Sequence, residues 1–216
     1  MRSENSTSGQ DGRSFIEAAR RAQIVECAID TISALGYAQA SLAQIAKTAG
    51  VSKGVISYHF FDKDELIQQV VSEILLTFDS YMRPRIEAER DPRSMLRAYI
   101  ESNVAYMKTH RRHVMVLVDI LTNARREDGK PLIDPCEYES GLKALEQILI
   151  RGQKSLQFRD FSTRVMATSI RNSIDGVAGQ MVTNPKLDLD SYARELALLF
   201  ELATVNEERK PRGSHR

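Results

Sequence analysis

The stretch AGVSKGVISYHFFDKDEL, from Ala49 to Leu66, gathers Lys53, Ser57, Tyr58, His59 and Lys63 into a short length of chain. Ammonium, hydroxyl and imidazole groups at this density are donors suited to phosphate oxygens and to the edges of bases. Gly54 stands among them without a side chain, so a ligand can approach the backbone there. Such a set works only if one element turns it all toward the same partner.

The surrounding punctuation supplies that element. Ser41, with Gln44 three residues on, is a capping box opening a short helix through Lys47. Ala49-Gly50-Val51 is a tight turn, and Ser52 caps a second short helix that runs to about His59. Two short helices across a Gly-containing turn are a helix-turn-helix candidate. Leu42, Ile45 and Ala46 would pack on Val51, Val55 and Ile56, leaving Lys53, Gly54, Ser57, Tyr58 and His59 outward. The helix starts at Ser41 and Ser52 add free backbone N–H groups for phosphate oxygens. Both serines would cap helices in any protein, and Tyr58 by itself is equally a half-buried anchor.

The rest of the chain predicts an all-α protein of about nine helices. Ile24, Ala28, Ile32 and Leu35 recur at helical spacing, and Gly36 ends that helix. Asp62 with Glu65 opens a long helix through Leu66, Val70, Ile74, Phe78 and Met82, ending near Arg85. Asp91-Pro92 and Asp134-Pro135 are caps followed by Pro at the first helical position. Ser162 and Asp188 open the last two helices. The segment 114–121 is apolar except for Asp119 and reads as a central helix. No period-2 strand, internal repeat or Gly-rich phosphate loop is found.

Composition is globular, 42% hydrophobic and 27% charged, with a formal net charge of +1. Bulk charge therefore announces no nucleic-acid binder, and any such affinity must come from local placement of Lys and Arg. Through residue 61, basic residues barely outnumber acidic ones, which implies modest affinity per module, strong salt dependence and a need for two modules. Cys27 and Cys136 read as buried free thiols of a reducing compartment. No apolar run approaches the ~20 residues of a membrane span, and the N-terminus lacks a signal-peptide core. A cytoplasmic protein is expected. Residues 1–13 read as a disordered arm, 14–62 as the helix-turn-helix domain, 63–206 as a helical body, and 207–216 as a disordered tail.

AQASLAQIAKTAGVSKGVISYHFFDKDEL resembles the DNA-binding module of TetR-type transcriptional regulators over roughly residues 18–70. The motifs that carry the resemblance are the apolar first helix ending at Gly36-Tyr37, the Ser41-Leu42-x-x-Ile45-Ala46 core, Ala49 to Gly54, and Tyr58-His59-Phe60 followed by Lys63 and Leu66. The family often has Tyr where this chain has Ser57. The resemblance implies a dimeric, ligand-responsive regulator, a repressor, that binds a pseudo-palindromic double-stranded operator. It implies that Ser41 and Ser52 meet phosphates, and that Lys53, Gly54 and Ser57 face the major groove. Tyr58 and His59 would touch phosphate or sugar, Lys63 a flanking phosphate, and Arg20 and Arg21 the backbone or minor groove.

The body is expected to pair with a second copy and to hold a small-molecule effector. Small residues Ser169, Ser173 and Gly176, with the stripe Tyr192, Leu196, Leu199 and Phe200, form the expected dimer face. Phe78, Met82, Tyr99, Met107, Met115 and Met166, with the polar Asn103, would line an adaptable apolar pocket, although such apolar side chains are more often plain core than ligand wall. Asp119 and Asp175 are carboxylates in apolar settings that need a partner: an internal Arg such as Arg171, or a ligand cation or hydroxyl. His110 and His113 lie one helical turn apart, but no Cys completes a metal set, so the run reads as a solvated helix start. No metal, cofactor or enzymatic activity is expected, because no Ser-His-Asp frame, HExxH motif or paired Cys nucleophile is present. The alternatives are an architectural DNA-binding protein with little sequence choice and, more remotely, an enzyme using the helical body.

Overall fold

The computed structural model describes the backbone of residues 7–133 and 135–206, and side chains of residues 15–133, 139 and 141–206. Among the described residues there are nine helices and no strand, only the isolated bridges Arg125–Pro131 and Phe158–Val205. They are α1 (Thr7–Leu35), α2 (Leu42–Ala49), α3 (Lys53–His59), α4 (Lys63–Glu87), α5 (Pro92–Thr109), α6 (Arg111–Asn123), α7 (Pro135–Lys154), α8 (Thr163–Thr183) and α9 (Leu189–Thr204). α1 starts inside the segment expected as an arm. The expected tail lies outside the described residues, as do Asp134 and the side chain of Cys136.

The start signals act as their residue types require. Ser41 Oγ accepts from the Gln44 N–H at 3.3 Å, Ser52 Oγ from Val55 at 3.3 Å, and Ser162 Oγ from Val165 at 3.4 Å. Asp91 accepts from the N–H groups of Arg93 and Ser94, and Asp188 from those of Asp190 and Ser191. Gly36 and Gly50 end α1 and α2 in the left-handed region, at φ +81° and +65°, where a side chain would be strained.

The chain divides into two compact units. The first runs through Leu76 and takes in Met115–Ile133, so most of α6 groups with the helix-turn-helix and not with the body. Its core joins Ile24, Ile29, Ile45, Ile56 and Phe60 to Val116 and Ile120 of α6, all nearly inaccessible to solvent. The second comprises Thr77–Val114 and the chain after Ile133. Within it α5 packs against α7, α8 and α9, with Leu96, Ile100, Leu149, Ile174 and Ala197 buried. Two of the three unit boundaries fall inside helices, α4 between Leu76 and Thr77 and α6 between Val114 and Met115. α6 is not enclosed on every side as expected: Val118 is exposed and Asp119 half-buried. Cys27 is likewise only half-buried. Burial, then Asp30 and Glu26, pushes its thiol pKa up and keeps it protonated.

Candidate nucleic-acid interface

α3 is a seven-residue helix whose two sides differ sharply. Ile56 is fully buried, and Val55 half-buried, against α2 and the core. Lys53, Gly54, Ser57 and Tyr58 are all exposed, and Tyr58 is 72% accessible. His59 is half-buried, with its ring edge-on to Tyr58 at 5.0 Å. Ser41 and Ser52 are exposed at the starts of α2 and α3. Their oxygens accept from their own helices, so what each hydroxyl has left to offer a phosphate is its proton. The structure thus brings Lys53, Gly54, Ser57 and Tyr58 to one outward face, as the sequence pattern predicts.

Gly54 is not demanded by the fold. A Cβ built there would meet only Ser52 Oγ, at an ordinary 3.6 Å, and its φ is not positive. Gly inside a helix costs roughly 0.5–1 kcal/mol relative to Ala.

Two sequence-predicted contacts are committed elsewhere. Lys63 Nζ donates to the Tyr37 carbonyl at 3.0 Å and lies 4.3 Å from the centre of the Tyr37 ring. Burial lowers its pKa, with Asp64 opposing. Arg21 donates to the His59 carbonyl, pairs with Glu65 at 2.7 Å and lies 4.1 Å over the Phe60 ring. Glu65 in turn accepts from the Phe61 N–H at 2.7 Å. The hydrogen bond from Arg21, then that from Phe61, holds the Glu65 carboxyl below its ordinary range. Arg21 therefore fastens the end of α3 to the start of α4 instead of reaching outward. Arg20 is exposed and donates to Gln23 at 2.8 Å.

Three partners escaped sequence reasoning. Tyr58 OH donates to Glu17 at 3.1 Å, Arg21 finds Glu65, and the Tyr37 N–H donates to Asp119 at 2.7 Å. The last two pairs are 44 and 82 residues apart, and no local spacing signals a contact at such range.

The expected effector residues do not form one set. Asp119 and Met115 fall in the first unit, and Asp119 is occupied by the Tyr37 N–H and by Asn123 Nδ2 at 2.7 Å. Asp119 is thus not a carboxylate awaiting a ligand cation. Asp175 is exposed and pairs with Arg171 at 3.0 Å, the internal-Arg alternative. Phe78, Met82, Tyr99, Asn103, Met107 and Met166 lie in the second unit. Met82, Tyr99, Asn103 and Met107 are buried, while Phe78 and Met166 are half-buried. Phe78 and Tyr81 meet Tyr106 edge-on at 5.1 and 5.5 Å, and His110 stacks on its ring at 4.2 Å. Burial pushes the Tyr106 phenol up to about 12. Asn103 Nδ2 donates to the Tyr99 carbonyl at 2.7 Å, while its buried Oδ1 accepts nothing within the described residues.

On the expected dimer face, Ser169, Gly176 and Leu199 are exposed, and Ser173, Tyr192 and Leu196 half-buried. Phe200 is 6% accessible, part of the core of its own unit, and leaves the set. Leu198 and Leu202 on α9 and Val165 and Val182 on α8 are exposed apolar side chains near it in sequence.

The pattern of the bacterial regulatory proteins of the tetR family matches residues 24–70. The HTH-type transcriptional regulator BetI of Stenotrophomonas maltophilia is 38% identical over 89 residues, 41% of this chain and 45% of the relative. BetI 1 of Chromohalobacter salexigens is 40% identical over 85 residues, 39% of this chain and 42% of the relative. The match thus spans less than half the length of these curated relatives. Among solved structures, the transcriptional regulator FadR of Bacillus subtilis, in complex with stearoyl-CoA, superposes with a TM-score of 0.74 at 23% identity, covering 82% of this chain and 96% of that one. The fatty acid degradation regulator FadR of Bacillus halodurans gives 0.72 at 22% identity, covering 90% and 98%. Their likeness is one of fold. Residues 24–70 are thus similar to the tetR family of bacterial regulatory proteins, and the fold of the chain matches that of the solved regulators.

Proposed function

We propose that the protein is a ligand-responsive transcriptional repressor of the cytoplasm, binding a pseudo-palindromic operator as a dimer. The observation that carries this reading is α3, which buries Ile56 and turns Lys53, Gly54, Ser57 and Tyr58 to solvent. One recognition helix reads only a few base pairs, and two of them about 34–36 Å apart read a half-site each. The exposed apolar residues of α8 and α9, with Gly176 open to approach, supply a surface for the second copy.

A small molecule held in the helical body would act as the effector. α4 is one helix from Lys63 to Glu87, so a ligand beside Phe78 and Met82 bears on the helix that begins at the recognition module. Release of DNA requires that the ligand bind the released state more tightly than the bound one. The orphan acceptor of Asn103 and the solved relative with stearoyl-CoA support a ligand of the body, without giving its class.

The test is selection of bound DNA from a random pool, followed by a screen for small molecules that release it. Tyr58→Ala should weaken binding to the selected sequence by about tenfold, the scale of one specific contact, with the dimer unchanged in sedimentation. Retention of wild-type affinity by that variant overturns the assignment of the α3 face. Equal capture of all sequences would instead indicate an architectural DNA-binding protein.

A further inference from the structure

The end of α1 is completed by side chains from two other helices. Gly36 N–H donates to the Ile32 carbonyl at 2.8 Å, the single bond of a left-handed cap. That cap leaves the next N–H, that of Tyr37, without a partner in its own helix. Asp119 of α6 takes it at 2.7 Å, while the Tyr37 carbonyl receives Lys63 of α4 at 3.0 Å. A single peptide-bearing residue is thus gripped by an anion on its donor and by a cation on its acceptor. Gly36 suits this turn through its φ of +81° and not through space, since a Cβ there would stand an ordinary 3.6 Å from Asp119 Oδ2.

The turn that follows is tightly bonded. Ala40 N–H donates to Gly36 and Tyr37 carbonyls at 3.1 and 3.3 Å, and Ser41 N–H to Gln39 at 2.9 Å. Ala40 is fully buried, so the turn cannot swivel without opening the core. Ser41, the cap of α2, follows directly, and α2 carries α3. The Tyr37 backbone thus stands just ahead of α2, on which α3 packs.

We propose that Asp119 and Lys63 are positioning residues for operator binding, clamping the Tyr37 backbone on both sides of its Cα so that α2 and α3 are presented in one orientation. This rests on the DNA-binding reading above and assigns Lys63 a role other than a phosphate contact. Charge-assisted hydrogen bonds are the strong ones, so loss of either half matters.

The test measures two quantities on the full chain: hydrogen exchange at the Tyr37 amide, and affinity for the operator selected with the wild-type protein as a function of salt. Asp119→Ala should speed exchange at Tyr37 and weaken operator binding, each by about tenfold, the scale of one charge-assisted hydrogen bond. Asp119→Asn keeps an acceptor oxygen and should recover most of both, even if the alanine variant folds poorly. Lys63→Met keeps the stem over the ring and should weaken binding with the slope of log K against log salt unchanged. A slope reduced by about 0.9 marks a released phosphate counterion and overturns the assignment of Lys63. Wild-type exchange and affinity in Asp119→Ala, or no recovery in Asp119→Asn, overturns that of Asp119. If the wild type selects no DNA at all, the DNA-binding reading falls, and exchange at Tyr37 still decides whether the clamp exists.

Discussion

Gly54 separates the demands of folding from those of binding. Its exposed helical site has room for a methyl group, so Gly54→Ala should stabilise the protein by about 0.5–1 kcal/mol. The same methyl group would stand between the backbone and an approaching duplex. Operator affinity should therefore fall while the thermal midpoint rises. Both are measurable on one preparation, and an alanine variant that binds as well as wild type removes the close-approach argument. Ser57 beside it is small and exposed, which leaves Tyr58 as the largest side chain on this face. The contact of Tyr58 with Glu17 places a carboxylate next to a residue proposed to meet a polyanion. On the proposed function Tyr58 would trade that hydrogen bond for one to DNA, and Glu17→Gln should strengthen binding at low salt more than at high salt.

At the scale of elements, the junction of α3 and α4 depends on Glu65. Its pKa is lower in the folded state than in the unfolded chain, so the folded state binds fewer protons at acid pH. The stabilisation it brings is complete above the ordinary carboxyl value of 4.5 and is lost as pH falls through the lowered folded value. Thermal denaturation across this acid range should show a descending limb that is shallower in Glu65→Gln, whose neutral amide does not titrate. Identical limbs in the two proteins would remove Glu65 from the junction. The pair is partly exposed, 36% for Arg21 and 40% for Glu65, so solvent screening limits its worth; its role is to fix an angle. The helix starts tell a complementary story. Ser41, Ser52, Asp91, Ser162 and Asp188 each cap the helix expected of them, because a cap is satisfied within three residues of itself.

At the scale of the whole molecule, the proposed function requires two reading modules and hence two copies. Leu198, Leu199 and Leu202 lie at neighbouring helical positions of α9 and are 44%, 58% and 68% accessible, an apolar ridge that one copy leaves in water. Leu199→Glu with Leu202→Glu should yield a monomer in sedimentation, with helical content retained and operator binding lost. A double variant that still sediments as a dimer would move the interface off α9. Operator affinity of the wild-type dimer should fall steeply with salt, since a chain of near-neutral net charge binds through local contacts to phosphates.

Most of the fold could be read from the chain because it is written in local signals. Helical spacing of apolar residues, Ser and Asp caps and the left-handed glycines all act within a few residues, and the exposed face of α3 follows from them. The recognition motif was readable for the same reason, being a capped helix, a Gly turn and a second capped helix in sequence. Everything carried by distant partners was not. Lys63 and Arg21 have the chemistry of phosphate ligands, and only the packed structure shows them turned to Tyr37 and Glu65. Asp119 has the look of a ligand-binding carboxylate in an apolar helix, yet it closes the end of α1. Phe200 shares the period of an interface stripe and lies in the core, because periodicity reveals that a face is apolar and not what covers it. Charges and apolar faces find their partners through space, and sequence spacing carries no record of that choice.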